Sequence, residues 1–106
     1  MTAHTKLVND ILVAIYRKYG RDACVQRVAV TPVPGRRGMS VQPGTADIIG
    51  CVCGVPVAIE AKVPPDKQRP AQQEFMEAWI AAGGQYFICQ DPGETVSAIA
   101  YEVNRR

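Results

Sequence analysis

The sequence predicts a single α/β domain in which helices flank both faces of a four-stranded mixed sheet. A helical stripe opens the chain, and short runs rich in valine and isoleucine occupy its middle. A second helical segment then separates the last of these runs from one further strand. Because a strand–helix–strand connection within one sheet is almost always a right-handed parallel crossover, we expect the sheet to be mixed. The predicted order is αβββαβ followed by a C-terminal helix.

The chain is predicted to begin with an amphipathic helix and a strand. Apolar residues recur at helical spacing through residues 6–19, with Thr5 as the expected N-cap and Gly20 as the expected end. Residues 23–30 are predicted to form a strand that carries Arg27 among smaller apolar neighbours.

A long loop is predicted over residues 31–46. It contains three prolines, three glycines and the basic pair Arg36 and Arg37. Loops of this length in compact domains are usually functional or disordered. The composition therefore leaves two interpretations open, a loop that binds a phosphate backbone or a solvated surface loop.

The middle of the chain is predicted to form a β-hairpin. The runs 47–53 and 55–63 are rich in valine and isoleucine and are separated by Gly54. One face of this hairpin is almost wholly apolar and is expected to join the core; its residues are Ile48, Val52, Val57, Ile59, Ala61 and Val63.

The other face of the hairpin carries charge. If Cys53 and Gly54 form the loop, Asp47 lies opposite Glu60, and directly opposite residues point to the same face. Lys62 shares that face, about 6.6 Å further along the strand. We call Asp47, Glu60 and Lys62 the acid–lysine cluster.

Two carboxylates that face each other on neighbouring strands repel unless a positive charge lies between them. Lys62 supplies one such charge. Mg²⁺ is typically held by one or two carboxylates with water and substrate phosphate, which matches what this cluster offers. The alternative is a surface hairpin with ordinary solvated charges, although charged residues seldom lie among valine and isoleucine without a reason.

The second half of the chain contains a polar turn, a helix, a strand and a final helix. Residues 64–69 form the turn and carry Lys67 and Arg69. The next helix is predicted over 70–82, with proline in its first turn and Gly83–Gly84 after its end. Its expected core stripe is Ala71, Phe75, Ala78, Trp79 and Ala82. A strand over 85–89 and a short helix over 94–103, with apolar Val96, Ile99 and Val103, complete the chain.

Composition is that of an ordinary globular domain. The 106 residues are 47% apolar and 21% charged, and we expect one domain over residues 1–106. No apolar run approaches the ~20 residues that span a bilayer, and no signal peptide is visible, so we expect no membrane association and a cytoplasmic location. Eight of the twelve basic residues are arginine, the side chain suited to bidentate phosphate contact.

The four cysteines are predicted to be structural. In a reducing compartment, Cys24, Cys51, Cys53 and Cys89 are expected to act as small apolar fillers rather than to pair. The spacing of Cys51 and Cys53 differs from that of structural zinc sites, and no second Cys/His pair accompanies it.

Asp47 followed by Glu60-Ala61-Lys62 resembles the core of PD-(D/E)XK nucleases, whose fold is like that of restriction endonucleases. A wider pattern resembles the VRR-NUC branch of that superfamily, which occurs in phage, bacterial and DNA-repair proteins. The pattern consists of Gly44, Asp47, Ile48, Ile49 and Gly50, then Ile59, Glu60 and Lys62, then Gln72 and Phe75, and finally Gly83 and Gly84. The resemblance covers roughly residues 5–90.

The resemblance implies a metal-dependent DNA endonuclease of a bacterial or phage-infected cell. It implies that Asp47, Glu60 and the backbone carbonyl of Ala61 hold Mg²⁺ or Mn²⁺, with Lys62 orienting the attacking water or stabilising developing charge. Gln72 is expected to place the scissile phosphate, to brace an acidic ligand, or only to lie near a helix start. The basic residues expected to contact DNA are Arg27, Arg36, Arg37, Lys67 and Arg69.

Two further expectations follow from the resemblance. The family often supplies another acid from the first helix, for which Asp10 is the candidate; if Asp10 faces solvent, a one-metal mechanism is favoured. Small stand-alone members resemble four-way-junction resolvases, so branched or flap DNA and a homodimer are expected, with Val96, Ile99, Val103 and Met39 as interface candidates.

The sequence leaves two other classes of function as alternatives. The first is a DNA-binding module that keeps the nuclease fold without turnover, against which an intact acid–lysine cluster argues. The second is a small thiol or metal protein built on Cys51 and Cys53, which a zinc or thiol assay would separate from the others.

Overall fold

The computed structural model describes residues 1–29 and 44–106, and its elements follow the predicted order. The helices are α1 (Ala3–Tyr19), α2 (Pro70–Ala81) and α3 (Pro92–Asn104). The strands are β1 (Ala23–Arg27), β2 (Ile48–Val52), β3 (Val55–Ala61) and β4 (Gln85–Cys89), and a 3₁₀ turn over Gly20–Asp22 joins α1 to β1. None of the helices in these ranges is long and apolar enough to cross a membrane.

The four strands form one mixed sheet in the order β1-β2-β3-β4. The first three strands are antiparallel neighbours, and β4 is parallel to β3. In the hairpin, Ile48 pairs with Ile59 and Val52 pairs with Val55, so the loop is Cys53–Gly54. The predicted α/β class, mixed sheet and hairpin register are therefore confirmed.

The core lies on the face of the sheet covered by α1 and α3. Its buried helix residues are Val8, Ile11, Ile15 and Ile99. The hairpin contributes Ile48, Val52, Val57, Ile59 and Ala61, as predicted, together with Val55. Val63 follows the end of β3 and is only partly buried, so its assignment to the core was wrong.

Helix α2 lies on the opposite face, and its predicted core stripe was wrong. None of its residues is buried: Phe75 and Trp79 are partly buried, whereas Ala71, Ala78 and Ala82 are exposed. The aromatic rings reach the sheet through Tyr86, whose ring centroid lies 6.2 Å from that of Phe75. Alanine side chains are too short to make the same contact, so the alanines stay at the surface.

Two helices begin earlier than predicted. Thr2, not Thr5, is the N-cap of α1, because its hydroxyl accepts a 3.0 Å hydrogen bond from the Thr5 N–H. Asp91 caps α3 in the same way, accepting a 3.0 Å bond from the N–H of Glu94. Apolar periodicity marks only the buried face of a helix, and the first turn of each of these helices is polar.

Three cysteines are not the buried fillers that were predicted. Cys24, Cys51 and Cys53 are exposed, and only Cys89 is buried, where burial raises the pKa of its thiol. Cys24 and Cys51 project from the face that α2 covers incompletely, so strand position alone did not bury them.

The expected dimer contacts of α3 are also corrected. Ile99 is fully buried, and Val96 and Val103 pack against the same core, so these side chains already have partners within the domain. Met39 lies outside the described residues.

Candidate active site

Asp47 is anchored between three strands at one end of the sheet. It directly precedes β2, and its backbone carbonyl accepts a 2.8 Å hydrogen bond from the N–H of Val28, which extends the pairing with β1. Its carboxylate atom Oδ2 accepts a 2.8 Å bond from the N–H of Ala61 in β3. The predicted hairpin register thus brings Asp47 beside the residue that follows Glu60.

Glu60 is the penultimate residue of β3 and is buried, with only 1% of its surface exposed. Its Oε1 accepts a 2.7 Å hydrogen bond from the hydroxyl of Tyr86 and a longer one, 3.4 Å, from Gln68. Its Oε2 lies 3.4 Å from the ammonium of Lys62, but the geometry is not that of a hydrogen bond, and this buried atom has no such partner. A buried carboxylate oxygen without a hydrogen bond is costly, so it is a natural place for a cation.

Lys62 is also buried, with 8% of its surface exposed, and Gln72 holds it in place. The side-chain carbonyl of Gln72 accepts a 2.9 Å bond from Nζ of Lys62 and a 2.8 Å bond from the N–H of Arg69. The second bond provides an acceptor for the backbone N–H of the N-cap residue of α2. Gln72 therefore links Lys62 to the N-terminus of α2. Lys62 in turn lies beside Glu60, so Gln72 is connected to that carboxylate through the lysine.

Tyr86 connects β4 to the cluster. Burial, then the hydrogen bond to Glu60, and then the negative charges of Glu60 and Asp47 raise the pKa of the Tyr86 phenol. The hydroxyl is therefore held protonated as a donor to Glu60. Both carboxylates of the cluster therefore act on the Tyr86 phenol.

Helix α1 supplies His4 to the site, which sequence reasoning missed. Nε2 of His4 lies 3.2 Å from Oδ2 of Asp47. Asp10, the acid expected from this helix, instead forms a 2.6 Å ion pair with Lys6, and 46% of its side chain is exposed. Asp10 lines a cleft of about 250 Å³ at the sheet end, together with Ala3, Lys6, Leu7, Val63, Pro64 and Gln90.

Gly44 explains part of the sequence pattern before Asp47. Its φ of +85° is one that glycine adopts readily, and a Cβ on it would lie 2.2 Å from the carbonyl oxygen of Ala71. Only glycine lets the chain approach the start of α2 so closely. This contact brings the segment that leads to Asp47 against the helix that carries Gln72.

The oxygen donors at the site fit a hard divalent cation better than zinc. Asp47 and Glu60 supply carboxylates, and Oε2 of Glu60, whose charged neighbour is Lys62 at 3.4 Å, can accept a cation without breaking a hydrogen bond. In residues 1–29 and 44–106, no three His, Cys, Asp or Glu side chains converge on one point. A bound ion would therefore need water, main-chain or phosphate oxygens to complete its coordination, as Mg²⁺ commonly does.

Three of the predicted basic residues are exposed near this end of the sheet. Arg27 ends β1 opposite Ile48, one residue from the strand end that carries Asp47, and this pairing places it on the face of the sheet that α1 covers. Lys67 and Arg69 flank Gln68, the residue that contacts Glu60, and all three cations are exposed. Arg36 and Arg37 lie outside the described residues.

Tyr86, Gln68 and His4 are the site residues that the sequence did not reveal. Tyr86 is paired with Ala58 across the parallel β3–β4 ladder, and that register cannot be derived from the sequence of either strand. Gln68 lies in a turn of irregular backbone. An N-cap at Thr2 places His4 in the first turn of α1, but its contact with Asp47 depends on how α1 packs against the sheet.

The fold and the cluster define an α/β protein with a buried acid–lysine site at the end of a β-hairpin. No protein-family model matches the sequence, and no curated protein matches it.

Proposed function

We propose that this protein is a metal-dependent DNA endonuclease that hydrolyses phosphodiester bonds in branched DNA, such as four-way junctions or flaps. The single observation that carries the proposal is the environment of Glu60. Glu60 is 1% exposed, and its Oε2 has no hydrogen bond and is balanced only by the Lys62 ammonium at 3.4 Å. Such a buried ion pair is a costly way to stabilise a fold. Glu60 is well explained as half of a cation site.

The architecture supports the PD-(D/E)XK resemblance. The chain has the order αβββαβ plus α3, three antiparallel strands, and a fourth strand parallel to β3. Asp47 and Glu60 lie at adjacent strand ends, and Lys62 follows within hydrogen-bonding reach of α2. Positions of the resemblance that lie far apart in the sequence, Gly44, Lys62 and Gln72, meet at this end of the sheet.

Asp47 and Glu60 would hold Mg²⁺ or Mn²⁺, and the resemblance adds the carbonyl of Ala61. When bound, such an ion supplies charge that stabilises the phosphate transition state and makes water more acidic. The hydrogen bond from the Ala61 N–H orients Asp47, and the Tyr86 hydroxyl orients Glu60. Neither carboxylate can rotate freely, which reduces the reorganisation that catalysis requires.

Lys62 would stabilise the charge that develops on the phosphate or orient the attacking water. Its Nζ lies between Gln72 and Glu60, at 2.9 and 3.4 Å. Both contacts keep the ammonium at the cluster rather than in solvent. The position of this charge is thus set by the packing of α2 against the hairpin.

The exposed cations would bind the DNA backbone. Arg27, Lys67 and Arg69 are exposed and supply positive charge at this end of the sheet, to which Arg36 and Arg37 are expected to add. We further propose a homodimer, because two identical sites are needed to cut a four-way junction symmetrically.

The test is cleavage of labelled duplex, flap and four-way-junction DNA, with and without Mg²⁺ or Mn²⁺. Glu60→Gln, purified in parallel, controls for a contaminating nuclease, and Glu77→Gln on the exposed face of α2 is the matched control. The proposal requires metal-dependent cutting by the unaltered protein and by Glu77→Gln, and none by Glu60→Gln. Equal cutting by all three proteins, or cutting that persists in a chelator, would contradict it.

One observation favours a second candidate, a DNA-binding module without turnover. In the part of the chain that the structure describes, no three His, Cys, Asp or Glu side chains form a group that could hold a metal ion. Binding of junction DNA without cleavage under any metal condition would select this alternative.

A further inference from the structure

Two exposed cysteines face each other across the antiparallel pair β1–β2. Cys24 is the direct partner of Cys51 in the register, so both side chains point to the same face of the sheet. Both are exposed and neither is bonded to another sulfur. Nothing in the proposed nuclease chemistry uses this pair.

The hydrogen-bond pattern sets the spacing of the two residues. The N–H of Val28 donates to the carbonyl of Asp47, and the N–H of Cys53 donates to the carbonyl of Asp22, at 2.8 and 2.7 Å. Hydrogen-bonded pairs alternate along an antiparallel ladder, and the Cys24–Cys51 pair falls an even number of residues from both. It is therefore a hydrogen-bonded pair, whose Cα atoms are about 5.5 Å apart. Disulfides span Cα separations of about 4.4–6.8 Å.

The strands are close together at this point, and space remains above them. A Cβ added to Gly50, the neighbour of Cys51, would lie 2.0 Å from the carbonyl oxygen of Cys24. Above the strands is a cavity of about 370 Å³ lined by both cysteines, Gln26, Ile49, Gly50, Pro56 and Trp79. A small reagent can therefore reach both sulfur atoms.

The other cysteines are placed less favourably. Cys53 lies in the hairpin turn, near Tyr19, which packs against the core. Burial, and to a smaller extent the charge of Cys53, raise the pKa of Tyr19. Cys89 is buried in β4. Of the four thiols, only Cys24 and Cys51 combine exposure, a shared face and direct pairing.

We propose that Cys24 and Cys51 form a redox modification site that closes reversibly to an intrachain disulfide. The oxidant is a low-molecular-weight disulfide of the glutathione class. The thiolate of one cysteine attacks it, forming a mixed disulfide and releasing one reduced thiol. The thiolate of the second cysteine then attacks the sulfur of the first cysteine, which forms the Cys24–Cys51 bond, breaks the mixed disulfide and releases the second reduced thiol. Two cysteine thiols lose two protons and two electrons, and one external disulfide becomes two thiols. The oxidised bridge joins β1 to β2 covalently.

The experiment equilibrates the purified protein with mixtures of reduced and oxidised glutathione at mildly alkaline pH. Acid quenching, alkylation of remaining thiols and peptide mapping then identify the sulfur partners. We expect a Cys24–Cys51 cross-link, a loss of two of the four thiols, and full return of the thiols in excess reduced glutathione.

Matched serine variants identify which two cysteines form the disulfide. Cys53→Ser should form the bridge as the unaltered protein does, whereas Cys24→Ser and Cys51→Ser should instead retain one glutathione on the remaining partner. Mixed disulfides on both cysteines of the unaltered protein, a Cys51–Cys53 bridge, or only intermolecular cross-links would each overturn the proposal. No DNA cleavage is measured, so this outcome is independent of the nuclease proposal.

Discussion

The hydroxyl of Tyr86 donates a 2.7 Å hydrogen bond to Oε1 of Glu60, across the parallel strands β4 and β3. The bond leaves Oε2 as the carboxylate atom without a hydrogen-bond partner. Tyr86 thereby decides which oxygen of Glu60 is available to a cation. Because the pKa of Tyr86 is raised, the phenol remains a donor throughout the neutral range.

The raised pKa of Tyr86 predicts a loss of stability in alkali. The protonated phenol is favoured in the folded state, so its contribution is complete below the ordinary pKa of 10.0 and is lost as pH rises above that value. Tyr86→Phe should therefore make the free energy of unfolding decline less steeply above pH 10 than in the unaltered protein. The difference should stay well below ~1.4 kcal/mol per pH unit, because the ring is only partly buried and solvent screens it.

Urea unfolding at several pH values between about 8 and 11 measures this difference. Tyr101→Phe is the control, since that ring is 63% exposed. Parallel stability curves for Tyr86→Phe and the unaltered protein would show that Tyr86 is not the group responsible.

The acid–lysine cluster predicts that cleavage and binding can be separated. Asp47→Ala, Glu60→Ala and Lys62→Ala should each lower the cleavage rate by at least ~100-fold, the usual effect of losing one group that stabilises a transition state. DNA affinity should be retained, and removing a carboxylate should strengthen metal-free binding because it repels phosphate. Single-turnover cleavage and fluorescence anisotropy measure the two effects. Normal cutting by all three variants would show that the site is placed wrongly.

Gln72 and its neighbour Gln73 offer a matched pair of substitutions. Gln72→Ala removes the acceptor for both Lys62 and the Arg69 N–H, so it should cost about 1–2 kcal/mol of stability and lower cleavage as the lysine moves. Gln73→Ala removes only an exposed contact with Glu77 and should change stability by less than ~0.5 kcal/mol. Thermal unfolding and cleavage assays compare them, and equal effects of the two variants would deny Gln72 a special role.

The basic pair Arg36 and Arg37 predicts salt-sensitive DNA binding. Replacing both with alanine should weaken binding and flatten the slope of log affinity against log salt, because fewer counterions are released. Arg105→Ala with Arg106→Ala, at the exposed chain end, removes the same charge away from the cluster. If the first pair leaves the slope unchanged, or if the two pairs flatten it equally, a specific phosphate contact by the loop is ruled out.

The proposed homodimer predicts symmetric cutting. Sedimentation at micromolar concentration should give about twice the 11.5 kDa chain mass, alone or with junction DNA, and paired nicks should be related by two-fold symmetry. Serine in place of Ile80 or Ile88, which are 52% and 49% exposed, tests apolar surface that the domain core does not use. If sedimentation detects only the single-chain species, both with and without junction DNA, the homodimer is excluded and the protein is a monomeric nickase or flap nuclease.

The features that the sequence by itself determined are local ones. Two runs rich in valine and isoleucine, separated by the Cys53–Gly54 turn, were enough to predict the hairpin, its register and, except for Val63, its apolar face. Proline and the double glycine likewise bounded α2. A hairpin register depends on neighbouring residues and one short turn, so it can be predicted from a short stretch of sequence.

What only the tertiary structure decided depends on contacts between distant segments. The partnership of Tyr86 with Glu60 depends on the β3–β4 register after a helical crossover. That of Cys24 with Cys51 depends on the pairing of two strands that lie more than twenty residues apart in the sequence. His4 reaches Asp47 only because α1 packs with its first turn at this end of the sheet. Packing between elements fixes these distances, and the sequence of any one element leaves them free.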